Sequence, residues 1–441
     1  MKKTPFIVII GLLISAISTY AQNAQPSPTP TRQRVIVVGA SPSPSPILLP
    51  VGSPTPRKVV IVTNALPSPS PTPFVRPASQ NTPNTSPTFP NLTPSTPSNL
   101  TYRSLSFKQL KNKIAEARRQ MQARPMPTAL TDSFLMTDFV RIAFNDSKTD
   151  QIDYAVLLKS AFLSVETDTP TTSSNGKQIT VRTIRANGVN TPVIILDNEG
   201  KTHLPLMVQY PVEKYGKFQE TAFYISTHPG IVTPEVVNAG KMYVRNTIDI
   251  AREKLSERGI FIQPQVADAA ERLAALEHVD HQRFRNEYHP NVYNDIFTLF
   301  ALNEGNTYRY SVSSAGAGGM VQMIPSTYRM VRSRYFNVPL MPDFVEGMRN
   351  HVNASQAMLL YMQMTWNDLV ASPTVYSAIE NGIATPAQLM SAGYNSNPAK
   401  LAGYIKRGGA GWTNLIPRET KIYLQILSSM DKFVPATVRT K

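Results

Sequence analysis

The residue types able to do chemistry converge on one carboxylate. A helix is expected to start at Pro290, with Tyr293, Phe297, Phe300 and Ala301 on one face at i, i+4, i+7 and i+8. One more turn of that face reaches Glu304, and Gly305 ends the helix. Burial disfavours the carboxylate anion, and so does the carbonyl end of a helix. Together they can lift its pKa from about 4.3 to roughly 6 or above. A carboxyl still protonated near neutral pH can donate to a leaving oxygen, which is the general acid's part in glycoside cleavage. On helix position alone, a frayed end with Glu304 in water is the alternative reading.

The segment that follows is rich in groups suited to a sugar. Gly316, Gly318 and Gly319 permit close backbone approach and φ > 0. Ser311, Ser313, Gln322 and Asn395 can donate to hydroxyl and N-acetyl groups, and Tyr394 can cover a sugar face. Counting from Glu304, a Ser falls nine positions on (Ser313), Gly-Ala at twelve and thirteen (Gly316, Ala317), Gly at fifteen (Gly319) and Gln at eighteen (Gln322). Pro325-Ser326-Thr327 follows. This run resembles the catalytic signature of the soluble-type lytic transglycosylases. Ala392-Gly393-Tyr394-Asn395 is similar to that family's Ala-Tyr-Asn element with one residue inserted, and Pro417-Arg418-Glu419-Thr420 with Tyr423 to its closing motif. The resemblance covers roughly Val266 to the C-terminus. Gly305 stands where the family usually has Ser, Met320-Val321 where it has Leu-Met, and Ile324 where it has Met.

The resemblance implies a lysozyme-like catalytic domain with Glu304 as its single acid. It would protonate the glycosidic oxygen between N-acetylmuramic acid and N-acetylglucosamine, then take the proton from the muramoyl C6 hydroxyl as that oxygen closes on C1. The product is a 1,6-anhydro end. Ser311, Ser313, Gly316, Gly319, Gln322, Tyr394, Asn395, Glu419 and Tyr423 would bind the glycan, with no metal or cofactor. A retaining hydrolase would need a second carboxylate about 5 Å away. None lies between Glu304 and Asp343, leaving Asp343, Glu346, Asp368 and Glu419 as distant candidates. A muramidase hydrolysing the same bond, or an inactive wall-binding protein, is the competing expectation.

Composition sets the surroundings of that site. The 441 residues include no cysteine, which excludes disulfide scaffolds, thiolate metal sites and cysteine nucleophiles. Half of the 38 prolines fall between Pro26 and Pro97, so that stretch cannot be a packed domain. The formal net charge is +15, of which +8 lies on residues 101–441, and this suits an anionic partner. Met1–Lys3 is a basic head, Phe6–Ile17 an apolar run, and Thr19-Tyr20-Ala21 a cleavage site, so residues 1–21 read as a secretory signal. Export to the periplasm or extracellular envelope makes peptidoglycan strands the expected partner rather than nucleic acid, with no membrane-spanning segment left after cleavage. Residues 22–100 read as a disordered Pro/Ser/Thr linker. Arg34–Val38 recurs as Lys58–Val62; a duplicated low-complexity tract with no partner is the plainer reading, and a β-branched island able to add a strand to an envelope protein is the other.

Two folded parts are expected, an α+β accessory domain over 101–265 and a mostly α lysozyme-like domain over 266–441. Ser106 and Gln109 have capping-box spacing before an amphipathic helix with Phe107, Leu110, Ile114, Ala117 and Met121 on one face and Lys108, Lys111, Arg118 and Arg119 opposite. Strands are expected at Gln178–Ile184, Val193–Leu196, Leu204–Val208 and Thr221–Ile225. Thr233-Pro234-Glu235 should start a helix that Gly259 ends, and Val266, Ala270, Leu273 and Leu276 stripe the next. His278, Asp280 and His281 raise the question of a metal, but Asp280 does not share the histidines' face, and polar helix ends are the plainer reading.

Overall fold

A computed structural model of the chain describes residues 100–124, 126, 138–165 and 167–440. The expected secretory signal, almost all of the expected proline-rich linker and its two β-branched islands lie outside the described residues. The described residues all fall in one contact unit.

Seven antiparallel strands make a nearly closed barrel over residues 139–224. They are β1 (Phe139–Asn145), β2 (Ile152–Leu158), β3 (Asp168–Thr172), β4 (Gln178–Thr183), β5 (Val193–Asp197), β6 (Thr202–Lys214) and β7 (Lys217–Tyr224). The order is β2-β1-β6-β5-β4-β3, with β7 also on β6. The 13 residues of β6 explain how one strand serves three neighbours: its start pairs with β5, its middle with β1 and its end with β7. The remaining gap is bridged where Ser174 N–H donates to the Tyr154 carbonyl at 2.9 Å. Val140, Ile142, Phe144, Ile179, Val181, Ile195 and Val208 fill the interior, closed by Phe162 of the short helix α2 (Lys159–Phe162).

The helices are α1 (Phe107–Ala123), α3 (Pro234–Ser256), α4 (Pro264–Leu276), α5 (His281–Asn286), α6 (His289–Asn303), α7 (Pro325–Arg334) and α8 (Phe344–Arg349), followed by α9 (His351–Val370), α10 (Pro373–Glu380), α11 (Pro386–Asn395), α12 (Leu401–Gly408) and α13 (Arg418–Phe433). None of them is long and apolar enough to cross a membrane. The Ser106–Gln109 capping box starts α1 as its spacing requires, and Leu110, Ile114, Ala117 and Met121 are buried. That apolar face is covered by β6 residues and by Ala301 and Leu302 of α6. Thr233 caps α3, accepting from Val236 N–H, and Gly259 takes φ +74° just beyond the helix end.

This architecture corrects the expected one. The fold is a nearly closed antiparallel barrel followed by a helical region, not a lysozyme-like domain behind a small α+β domain. Packing does not divide at 265/266 either. Val244, Ile248, Ala251 and Leu255 of α3 share one core with Val266, Leu273, Phe297, Phe300 and Met358. The crossing of α3 over α6 is so close that Gly240 has no room for a Cβ, which would lie 1.8 Å from the Phe297 carbonyl oxygen.

Barrel and helices are also joined by polar stitches. Buried Asn303 accepts from Ile225 N–H at 2.9 Å and donates to the Ile225 carbonyl at 2.8 Å. Its side chain thus substitutes for a missing neighbour strand just after β7. Glu220 of β7 holds both Arg309 (3.3 Å) and Arg349 (3.0 Å).

Candidate functional site

The periodicity argument for α6 holds up to its last turn and then fails. Tyr293, Phe297, Phe300 and Ala301 are buried. Glu304 is not: its side chain is 52% exposed and ion-paired with Lys111 of α1. Its backbone turns off the helix at φ +47°, in the left-handed region that costs a non-glycine residue energy. It lies beside a basic cavity of about 670 Å³ with Lys111, Arg118 and Arg119, where none of the other expected site residues is found. A solvated pair of this kind contributes about 0–1 kcal/mol. Glu304→Gln is therefore expected to leave thermal stability within about 1 kcal/mol of the parent. Thermal unfolding reads it, and a loss of several kcal/mol would contradict a solvated pairing with Lys111.

The other residues do come together, around a different glutamate. A cavity of about 410 Å³ is lined by Ser313, Gln322, Tyr394, Asn395, Glu419 and Tyr423, six of the nine expected binding residues, and by Glu277. Glu277 sits at the C-terminal end of α4, directly after the stripe Val266, Ala270, Leu273 and Leu276, all of which are buried. Burial pushes its carboxyl up to about 8, and the charge of Glu419 adds to the rise. The Tyr423 hydroxyl opposes it by donating to Glu277 Oε1 at 2.5 Å. The carbonyl end of α4 is a further unfavourable setting for an anion. Here, not at Glu304, is the desolvated carboxyl at a helix end facing a cleft.

The loop opposite Glu277 is braced from within. Ser313 Oγ accepts from Ala317 N–H at 3.0 Å, leaving the hydroxyl proton available. Gln322, at φ +47°, spends its amide on the Gly319 carbonyl (2.8 Å) and Ser311 Oγ (3.2 Å), so it shapes the loop rather than offering that amide to a ligand. Tyr394 donates to the Val321 carbonyl at 2.7 Å, and Asn395 accepts from Thr420 at 2.9 Å. These two tie α11 to the loop and to α13.

Three expected residues lie elsewhere. Ser311 lines a neighbouring cavity. Gly316, at φ +77°, closes a turn in which its N–H donates to the Ser313 carbonyl at 2.9 Å. Gly319 is needed for packing, not for sugar approach: at φ +66°, an added Cβ would meet the Met348 carbonyl oxygen at 2.3 Å. Sequence reasoning missed Glu277, although it continues the α4 face at i, i+4, i+7, i+11 from Val266.

His278, next to Glu277 in sequence, has other partners. His278 Nε2 lies 2.9 Å from the Met320 carbonyl, and its ring stacks on Tyr308 with centroids 3.3 Å apart. Burial drives its pKa down to about 3, so the ring is neutral. It therefore pins the 308–322 segment against the end of α4. Asp280 caps α5, accepting from Arg283 N–H at 2.8 Å. Among the described residues no group of three His, Asp or Glu is placed to hold a metal.

The chain matches no family model, no curated protein and no solved structure in the three comparisons made.

Proposed function

We propose that this protein cleaves the β-1,4 bond between N-acetylmuramic acid and N-acetylglucosamine in peptidoglycan as a lytic transglycosylase, with Glu277 as its acid. The observation that carries the reading is a carboxyl held neutral up to about 8 in a cleft with six residues named by the motif spacing. In the first step the Glu277 proton passes to the glycosidic oxygen as the C1–O bond breaks and charge develops at C1. In the second, the Glu277 carboxylate takes the proton of the muramoyl C6 hydroxyl as O6 bonds to C1, which restores the acid and leaves a 1,6-anhydro end. Tyr423 orients the carboxyl, and the Ser313 proton is free for the N-acetyl carbonyl. The basic head and apolar run of residues 1–21 support export, and with it an envelope substrate.

One observation favours a hydrolytic variant. Glu419, in the first turn of α13, lines the same cleft and acts electrostatically on Glu277. Two carboxyls in unlike environments are what a muramidase uses for acid and base.

Mass analysis of digested peptidoglycan separates the two readings. Transglycosylase products are expected to be lighter by one water and to lack a reducing end. Only reducing ends would overturn the proposal in favour of hydrolysis. Glu419→Gln gives an independent check, with an expected loss of about tenfold or less where Glu419 only binds. A loss of about 10²–10⁴-fold would make it the base.

A further inference from the structure

We infer that the barrel is one wall of the substrate groove and holds neutral sugar units on the far side of the scissile bond. This rests on the reading of Glu277 as the acid. The cleft containing Ser313 is not the only space Glu277 borders. A second cavity, of about 800 Å³, is lined by the same Glu277 and Val279 and continues between the helical body and the barrel. Ser311 lies in one cavity and Ser313 in the other, so a single loop floors both. An acid that cuts inside a glycan needs sugar on both sides of its carboxyl, and a junction between two cavities provides that.

The barrel's contribution is the β4–β5 connection, with Arg185 and Asn187, and Thr227 just beyond β7. Arg185 is half-buried, and its ion pair with Asp295 is long, at 4.0 Å. Asn187 is exposed. Thr227 is 6% exposed, and its hydroxyl has no hydrogen-bond partner among the described residues. An unmatched buried hydroxyl costs free energy until something in the cavity bonds to it.

The chemistry fits uncharged sugar. Lys159 is answered by Glu213, and Arg283 by Glu287 and Asp295, so the cavity has no surplus of cations with which to draw an anion. Forked and amide side chains beside an aromatic residue, Tyr310, suit hydroxyl and acetamido groups. The wall is also fixed before anything binds. Asn303 clamps Ile225, and Tyr308 N–H reaches the Tyr224 hydroxyl at 3.3 Å.

The test uses the full chain carrying Glu277→Gln, titrated calorimetrically with the trimer and hexamer of β-1,4-linked N-acetylglucosamine. The hexamer is expected to bind at least tenfold more tightly than the trimer. Asn187→Ala and Arg185→Gln, each added separately to Glu277→Gln, are expected to weaken the hexamer at least fivefold. Asn187 is exposed, so its truncation removes a ligand contact without touching the core. Unchanged hexamer affinity in both barrel variants overturns the inference and leaves the acid's assignment standing. Binding of neither oligosaccharide overturns the Glu277 cleft reading, and this inference with it.

Discussion

With Glu277 as the proposed acid, Glu277→Gln is expected to lower peptidoglycan cleavage by about 10²–10⁴-fold while the protein stays folded. Gln keeps the shape and can still accept from the Tyr423 hydroxyl, but it cannot release a proton. Stability should move the other way. The folded carboxyl titrates at about 8, well above the roughly 4.3 of an unfolded chain. The folded state thus keeps its proton where the unfolded state has lost it. Wild-type stability from this group is fully present below about pH 4 and falls as pH rises towards 8. Gln has no such dependence, so the melting-temperature difference in its favour should widen between pH 5 and pH 8. The rate carries the same signature: kcat/KM of the wild type should fall about tenfold per pH unit above about 8, as the protonated fraction disappears. A Glu277→Gln protein retaining more than a tenth of wild-type cleavage would remove this residue from the mechanism.

Two carboxylates satisfied the same sequence rule, and only tertiary structure separates them. Glu277 follows Val266, Ala270 and Leu273 at i, i+4, i+7, i+11, and Glu304 follows Tyr293, Phe297 and Phe300 at the same intervals. Periodicity reports which face of a helix is buried, not what lies beyond the helix end. Spacing to Ser313 favoured Glu304, yet the end of α6 is taken up by the Asn303–Ile225 stitch and the grip of Lys111, which turn Glu304 outward. The end of α4, some 36 residues before Ser313, is what faces the loop. The loop itself was legible because it needs unusual backbone. Gly316 and Gly319 do occupy positive φ, although Gly319 does so to pack on α8.

The barrel was only half visible for a similar reason. Strands β4 and β5 and their hairpin with β6 carry alternation and a turn signal. By contrast, β1 is buried over Ile142–Asn145 without alternation, and β3 is a Thr-rich segment containing Pro170. Neither shows the period of two from which a half-buried strand is read. Closure depends on β6 serving three partners along its length, and no local pattern encodes that.

Gly240→Ala is expected to destabilise the protein by about 3 kcal/mol and to lower its melting temperature by roughly 6–12 °C. One methyl suffices because it meets backbone rather than a movable side chain: the Phe297 carbonyl oxygen at 1.8 Å and its carbon at 2.6 Å. Relief requires α3 and α6 to separate, and neither is free to shift. Helix α3 also buries Val244, Ile248 and Leu255 in the main core, and α6 is tied at its end to the barrel through Asn303. Met242, two residues along and 63% exposed, supplies the control, with Met242→Ala expected within about 0.5 kcal/mol. Thermal unfolding followed by circular dichroism reads both. An unchanged melting temperature for Gly240→Ala would mean that the helices slide apart freely and that α3 is peripheral. The expected loss instead makes α3 part of the body that carries Glu277. A chain begun at Val266 would then leave Phe297 and Phe300 without the helix that covers them, and would not fold.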